Sequence, residues 1–281
     1  MPPGPIEPTR VLSFTSGPHT LYGEYFAAAG SPSGVVVMVH GYAEHCGRYR
    51  EVAAVLTGAG FAVVGFDVRG HGRSTGRRGH VDRFAEYLDD LDAAIGQARA
   101  LVGPDLPLVL VAHSNGSLIT LRALAEPARR SAVRAAIVSS PFLGLRLKVP
   151  GLKIAMARVA SRIAPRLTLP NALKVEDLTS DEGKQAERRA DTLCHEVATA
   201  RWFTEASAAQ AYVAAHPQFG VPTTWLIGGA DPIADPTVSR TVAAAASPPA
   251  QIHFLDGLRH EVFNERERDR VFALLVAALP R

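Results

Sequence analysis

The sequence predicts an α/β fold in which a mostly parallel sheet carries helices on both faces. Two observations predict it. Six short apolar runs, "VVVMVH" (35–40), "FAVVGFD" (61–67), "LVLVAH" (108–113), "AAIVSS" (135–140), "TTWLIGG" (223–229) and "QIHFLDG" (251–257), read as strands buried on both faces. Helical patterns at about 49–59, 83–102, 117–128, 236–247 and 265–279 separate most of these runs and follow the last. Strands that alternate with helices imply parallel crossovers. Upstream, "RVLSFTSGPHTLYGEYF" (10–26) reads as an antiparallel hairpin turning at Ser16-Gly17-Pro18. Open sheets of this kind bind ligands at the carboxyl ends of their strands.

One interval breaks the rhythm. Between Ser140 and Thr223 lie 82 residues, far more than a single crossover helix requires. Residues 142–200 are therefore expected to form a cap over the carboxyl edge, with 1–141 and 201–281 as the core. A net charge of +3 over 281 residues gives no general case for nucleic-acid binding. "MPPGPIEPTR" lacks the apolar centre of a signal peptide, and no run of about 18 apolar residues is present. Cys46 and Cys194 have no C-x-x-C spacing, which fits a reducing compartment without a disulfide framework. The expected location is cytoplasmic.

The chemistry concentrates at strand ends. In "VLVAHSNGSLIT" (109–120) a buried strand runs directly into a helix, with Ser114 between them. A strand–turn–helix without a loop forces its central residue towards φ > 0, and Ala112 and Gly116 are small enough to relieve the crowding. This is a relaxed form of the G-x-S-x-G nucleophile elbow. The plainer role for Ser114 is an N-cap. A serine hydroxyl becomes a useful nucleophile only when a base takes its proton and a third group orients that base. His260, a short loop beyond the last strand and expected to open the last helix, is the candidate base. Asp231, directly after "TTWLIGG", is the candidate acid in the order Ser…Asp…His. Asp235 sits where a helix-capping acid belongs, and Asp256 follows the wrong strand. The oxyanion donors are expected to be the backbone N–H groups of Asn115 and of Tyr42, in "HGYAEH".

"DVRGHGRSTG" (67–76) matches no phosphate-binding glycine motif and reads as a tight loop at the pocket wall. His40, His45, His71 and His113 cluster in these loops without a metal-binding spacing, so no metal and no cofactor is expected.

"HGYAEHCGRY", "DVRGHGRSTG", "AHSNGS", "SSPFL", "GGADPIAD" and "LRHEVFNE" occur in this order. In this the chain resembles the monoacylglycerol lipases and bacterial lysophospholipases, serine hydrolases of the α/β-hydrolase fold. The resemblance runs from about residue 20 to 280 and is weak in the insertion. It implies Ser114, Asp231 and His260 as a catalytic triad, Tyr42 and Asn115 as oxyanion donors, and 142–200 as a lipid-admitting cap. Where the family usually reads G-H-S-M-G-G, this chain has Ala112, Asn115 and Ser117 in place of Gly, Met and Gly. Asn115 is expected to make the pocket more polar near the scissile bond, and Tyr42 to narrow the acyl entrance.

Residues 144–175 carry seven Lys/Arg and no Asp/Glu. Leu152, Met156, Val159 and Ile163 share one helical face, with Arg158 and Arg162 nearly opposite. That face is expected to pack on the main domain at rest. Together with Arg146, Lys148 and Lys153 it also suits an anionic lipid surface when the cap moves. Three activities remain open: hydrolysis of monoacylglycerols or lysophospholipids, a general esterase, thioesterase or acyltransferase with the same triad, and a catalytically silent binding protein. Ser114 at the elbow excludes an aspartate nucleophile.

Overall fold

The computed structural model describes residues 3–130, 132–146 and 151–280. In chain order the elements are β1 (Arg10–Ser16), β2 (His19–Phe26), β3 (Gly34–Val39), α1 (Arg50–Gly58), β4 (Phe61–Phe66), α2 (Ala85–Val102) and β5 (Leu108–His113). Then come α3 (Asn115–Leu124), α4 (Pro127–Arg130), β6 (Ala135–Ser139), α5 (Gly151–Ile163), β7 (Thr168–Pro170), α6 (Val175–Leu178) and α7 (Glu182–Ala190). The chain closes with β8 (Val197–Thr199), α8 (Ala200–Ala215), β9 (Thr223–Gly228), α9 (Pro236–Ala244), β10 (Gln251–Leu255) and α10 (Arg268–Ala277).

Eight strands form one sheet in the order β1-β2-β4-β3-β5-β6-β9-β10. The hairpin β1–β2 joins antiparallel to β4, and every other pairing is parallel. Alternation along each central strand feeds two cores. Val35, Val37, Leu108 and Leu110 face one side with Tyr87 and Leu91 of α2 and Leu118 of α3. Val36, Met38, Val109 and Val111 face the other with Leu56 of α1 and Val271 and Leu275 of α10. This is why the strands read as continuous apolar runs. The run at 251–257 differs. β10 is the edge strand, Ile252 and Phe254 are exposed, and only Leu255 of the strand is buried.

Between β6 and β9 the chain builds α5 to α8 and a two-stranded antiparallel sheet of β7 and β8. Helix α8 packs on α3 and carries α5 on its outer side. The orientation of α5 corrects the packing expected from its sequence. Ile154, Ala157, Ala160 and Ser161 turn inward, and Ser161 Oγ lies 2.8 Å from Thr204 Oγ1 on α8. Leu152, Val159 and Ile163 face outward, 73%, 57% and 79% exposed, while Met156, 62% exposed, also borders the cavity described below. Small residues on the inner face allow a close approach of two helices, so it was backbone proximity and not the larger apolar stripe that chose the buried side.

Candidate active site

Ser114 sits between β5 and α3 at φ 51°, ψ −115°, a strained region for a residue with a β-carbon. Gly116 is required by contact. A β-carbon there would lie 2.2 Å from the Val39 carbonyl oxygen and 2.5 Å from that of His40. The crowding thus comes from the end of β3 as α3 passes over it. On the other side of the turn, the methyl of Ala112 is accepted within the core.

Three predicted residues from distant parts of the chain meet here. His260 Nε2 lies 2.8 Å from Ser114 Oγ, and His260 Nδ1 lies 2.7 Å from Asp231 Oδ2. The other oxygen of Asp231 accepts the N–H groups of Ile233 and Ala234 at 2.8 and 3.0 Å, which fixes the carboxylate plane. Asp235 caps α9 by accepting the Thr237 N–H at 2.8 Å, and Asp256 is exposed. His260 does not open the last helix. It lies in the loop before a single 3₁₀ turn (Val262–Asn264), and α10 starts only at Arg268. The loop is what lets the imidazole reach across to Ser114.

Burial opposes charge on His260, but the Asp231 carboxylate and its hydrogen bond outweigh it, so the imidazole pKa is raised above 6.5. His113, with its ring centroid 4.8 Å from that of His260, is pushed down to about 4 by burial and then by His260. It is neutral near pH 7 and does not repel a charged His260.

Asn115 begins α3, so its N–H is one of the first-turn donors that lack an intrahelical acceptor. The Asn115 amide side chain does not polarise the cavity as expected. It is 1% exposed, lies outside the cavity lining, and its two polar atoms have no hydrogen-bond partner among the described residues. The Tyr42 ring stacks on Trp202 of α8 with centroids 3.8 Å apart, and its hydroxyl donates to the Val197 carbonyl at 2.8 Å. It thereby joins the first loop to the segment after β6.

A cavity of about 670 Å³ opens onto Ser114 and His260. Phe142, Leu145, Ala157, Leu167, Phe203 and Ile233 contribute much of its apolar wall. The polar part was not foreseen. Arg48 donates to Glu44 at 2.6 Å and, through both terminal nitrogens, to Glu261 at 2.7 and 2.8 Å. Glu44 also accepts the Gly41 N–H and the Tyr49 hydroxyl, each at 2.6 Å. The Arg48 charge holds the Glu261 carboxyl down at about 2 despite burial. One network therefore ties the residue before Tyr42 to the residue after His260. Its signal in the sequence was three charged residues inside otherwise buried motifs, since a buried charge needs a partner.

The loop 67–76 is structural, but it does not line the cavity. Asp67 accepts the N–H groups of Cys46 and Arg73, each at 2.8 Å, and a β-carbon on Gly72 would lie 2.1 Å from Asp67 Oδ2. It braces the first loop from behind. His45, Asp191 and Cys194 bring one possible ligand atom each within 4.8 Å of one another. His45 Nδ1 accepts the Gly47 N–H at 3.2 Å, so Nε2 carries the proton and donates it to Asp191 at 2.7 Å. Both ring nitrogens of His45 are thereby engaged in hydrogen bonds. Burial pushes the Cys194 thiol up to about 12, away from reactivity.

Residues 30–267 match the family described as serine aminopeptidase, S33. The chain belongs to the serine aminopeptidase S33 family. Among relatives of this S33-family protein, phospholipase YtpA of Bacillus subtilis is 33% identical over 247 residues, covering 87% of this chain and 94% of the relative. A monoacylglycerol lipase of Mycolicibacterium smegmatis is 32% identical over 244 residues, 85% of each chain. The crystal structure of Paleococcus ferrophilus monoacylglycerol lipase superposes with a TM-score of 0.82 at 30% identity, covering 92% of this chain and 97% of the other. The S33-family protein therefore has the α/β-hydrolase fold its sequence predicted.

Proposed function

We propose that the protein is a serine carboxylester hydrolase that cleaves monoacylglycerols or lysophospholipids through an acyl-enzyme. The observation that carries this reading is the Ser114–His260–Asp231 relay, with contacts of 2.8 and 2.7 Å, opening onto an apolar cavity of about 670 Å³. Ser114 Oγ attacks the ester carbonyl while His260 Nε2 takes its proton, and Asp231 holds the imidazole in the required tautomer. The N–H groups of Tyr42 and Asn115 receive the oxyanion. His260 then returns the proton to the leaving alcohol, and water repeats the cycle on the acyl-serine. Both carboxylates of the cavity are occupied by Arg48.

Residues 142–200 act as a cap whose inner wall takes the acyl chain. Each methylene buried contributes up to about 0.8 kcal/mol, so kcat/KM is expected to rise several-fold per added carbon until the cavity is full. Comparing butyryl, octanoyl and lauroyl glycerol tests this. Equal rates on all three exclude an acyl-binding cavity.

The outward face of α5 touches an anionic lipid surface. Leu152, Val159 and Ile163 supply apolar contact, and Arg158 and Arg162 are exposed on the same helix. No helix among the described residues is long and apolar enough to cross a membrane. Arg146 is also exposed, and its Nη1 donates to the Asp231 carbonyl at 2.8 Å. Lys148 lies outside the described residues, as does the side chain of Lys153. Reversing the charges of Arg158 and Arg162 is expected to weaken binding to phosphatidylglycerol vesicles, least at high salt. Binding indifferent to both charge and salt rules the contact out.

A further inference from the structure

Arg188 of α7 lines the same cavity with only 9% of its surface exposed. Other buried arginines here are matched by acids: Arg48 by Glu44 and Glu261, Arg69 by Asp90 and Glu86. Arg188 has no carboxylate within ion-pair distance among the described residues. Its one hydrogen bond runs from Nη2 to the Ala43 carbonyl at 3.2 Å. The acids nearby cannot serve it. Glu44 Oε1 accepts from Gly41 and Tyr49, and its Oε2 from Arg48. Glu261 accepts from Arg48 on both oxygens and from Asn264 on one. A guanidinium has five N–H donors and no acceptor, so most of this fork is left for whatever enters the cavity.

Its location indicates which part of a substrate it meets. Ala43 lies two residues after Gly41, where a β-carbon would stand 3.2 Å from Ser114 Cβ. Two residues span at most about 7.6 Å. The polar wall formed by Glu44, Arg48 and Glu261 adjoins His260, which hands a proton to the leaving alcohol. A leaving group laid along that wall would meet Arg188 at its far end. The glycerol backbone between the ester carbon and the phosphorus of a lysophospholipid fits within such a reach.

Resting on the ester cleavage proposed above, the geometry points to Arg188 as a receptor for a phosphate on the leaving group, and hence to lysophospholipids over neutral monoacylglycerols as substrates. Planar guanidinium donors pair with phosphate oxygens in a bidentate fork. The reaction is hydrolysis of the acyl ester, giving a fatty acid and a glycerophosphate, with the phosphoester bonds untouched.

The test compares kcat/KM for 1-lauroyl lysophosphatidic acid, 1-lauroyl lysophosphatidylglycerol and 1-lauroylglycerol, all as monomers, in wild type, Arg188→Met and Arg188→Lys. Wild type is expected to prefer the two phosphate-bearing substrates. Arg188→Met is expected to lower the ratio of either one to lauroylglycerol at least tenfold, chiefly through KM, and Arg188→Lys to restore part of it. A parallel fall on all three substrates, or an unchanged ratio, overturns the assignment. A wild-type measurement covers the case in which the variants do not fold. sn-Glycerol 3-phosphate is expected to inhibit hydrolysis of p-nitrophenyl butyrate competitively, and glycerol at the same concentration is not. Equal inhibition by the two, or none by either, again overturns it. Absence of hydrolysis of every ester by the wild type would instead overturn the functional reading beneath it.

Discussion

Ser114→Ala is expected to lower kcat/KM for a monoacylglycerol or lysophospholipid about 10⁶-fold, the scale of losing the nucleophile from such a relay. The fold should survive. The backbone at φ 51° already carries its strain with a β-carbon present, and the side chain bonds to His260. Circular dichroism and a thermal melt matching wild type, together with the lost turnover, assign the loss to chemistry. Retention of more than a few per cent of the activity in a folded variant would remove Ser114 from the mechanism.

The second large effect concerns Asp231→Asn, expected to cost about 10⁴-fold in kcat. The asparagine carbonyl can still accept from Ile233 and Ala234, so the turn keeps its shape. Its NH₂ group then faces His260 Nδ1 and donates to it. That places the imidazole proton on Nε2, where it cannot receive the serine proton. The pH dependence carries the same signature. A raised His260 pKa means that the base is protonated, and activity lost, as pH falls through a value above 6.5. Without the Asp231 charge this acid limb is expected to move to lower pH, because burial alone disfavours the imidazolium. An acid limb that stays in place shows that Asp231 does not set the pKa. Full activity in Asp231→Asn with a crippled Asp235→Asn would transfer the orienting role.

The sheet was legible because each central strand is buried on both faces and so is apolar without interruption. β10 misled for the same reason: apolar residues on an edge strand look like those of a buried one. The relay was legible because Ser114, Asp231 and His260 each follow a strand, and parallel strands deliver their carboxyl ends to one edge. The Arg48 bridge was hidden by distance, since Glu261 lies 213 positions after Arg48. Arg188 was hidden by position, in an insertion whose residues show a pattern only once they are folded over the cavity. Helix α5 was misread because a periodic apolar stripe says that a face is special without saying whether protein or another surface covers it. The Asn115 side chain was misread because a place beside Ser114 does not say which way a side chain turns, and this one is buried outside the cavity lining.

The proposed mechanism requires one atom, Ser114 Oγ, to become covalently bound while His260 acts as its base. Intact-mass measurement after reaction with a fluorophosphonate, followed by peptide mapping, tests this most directly. One adduct per chain, confined to the peptide bearing Ser114, absent from Ser114→Ala and much slower to form in Asp231→Asn, is the predicted result. Labelling that persists in Ser114→Ala, or that maps to another residue, would contradict it.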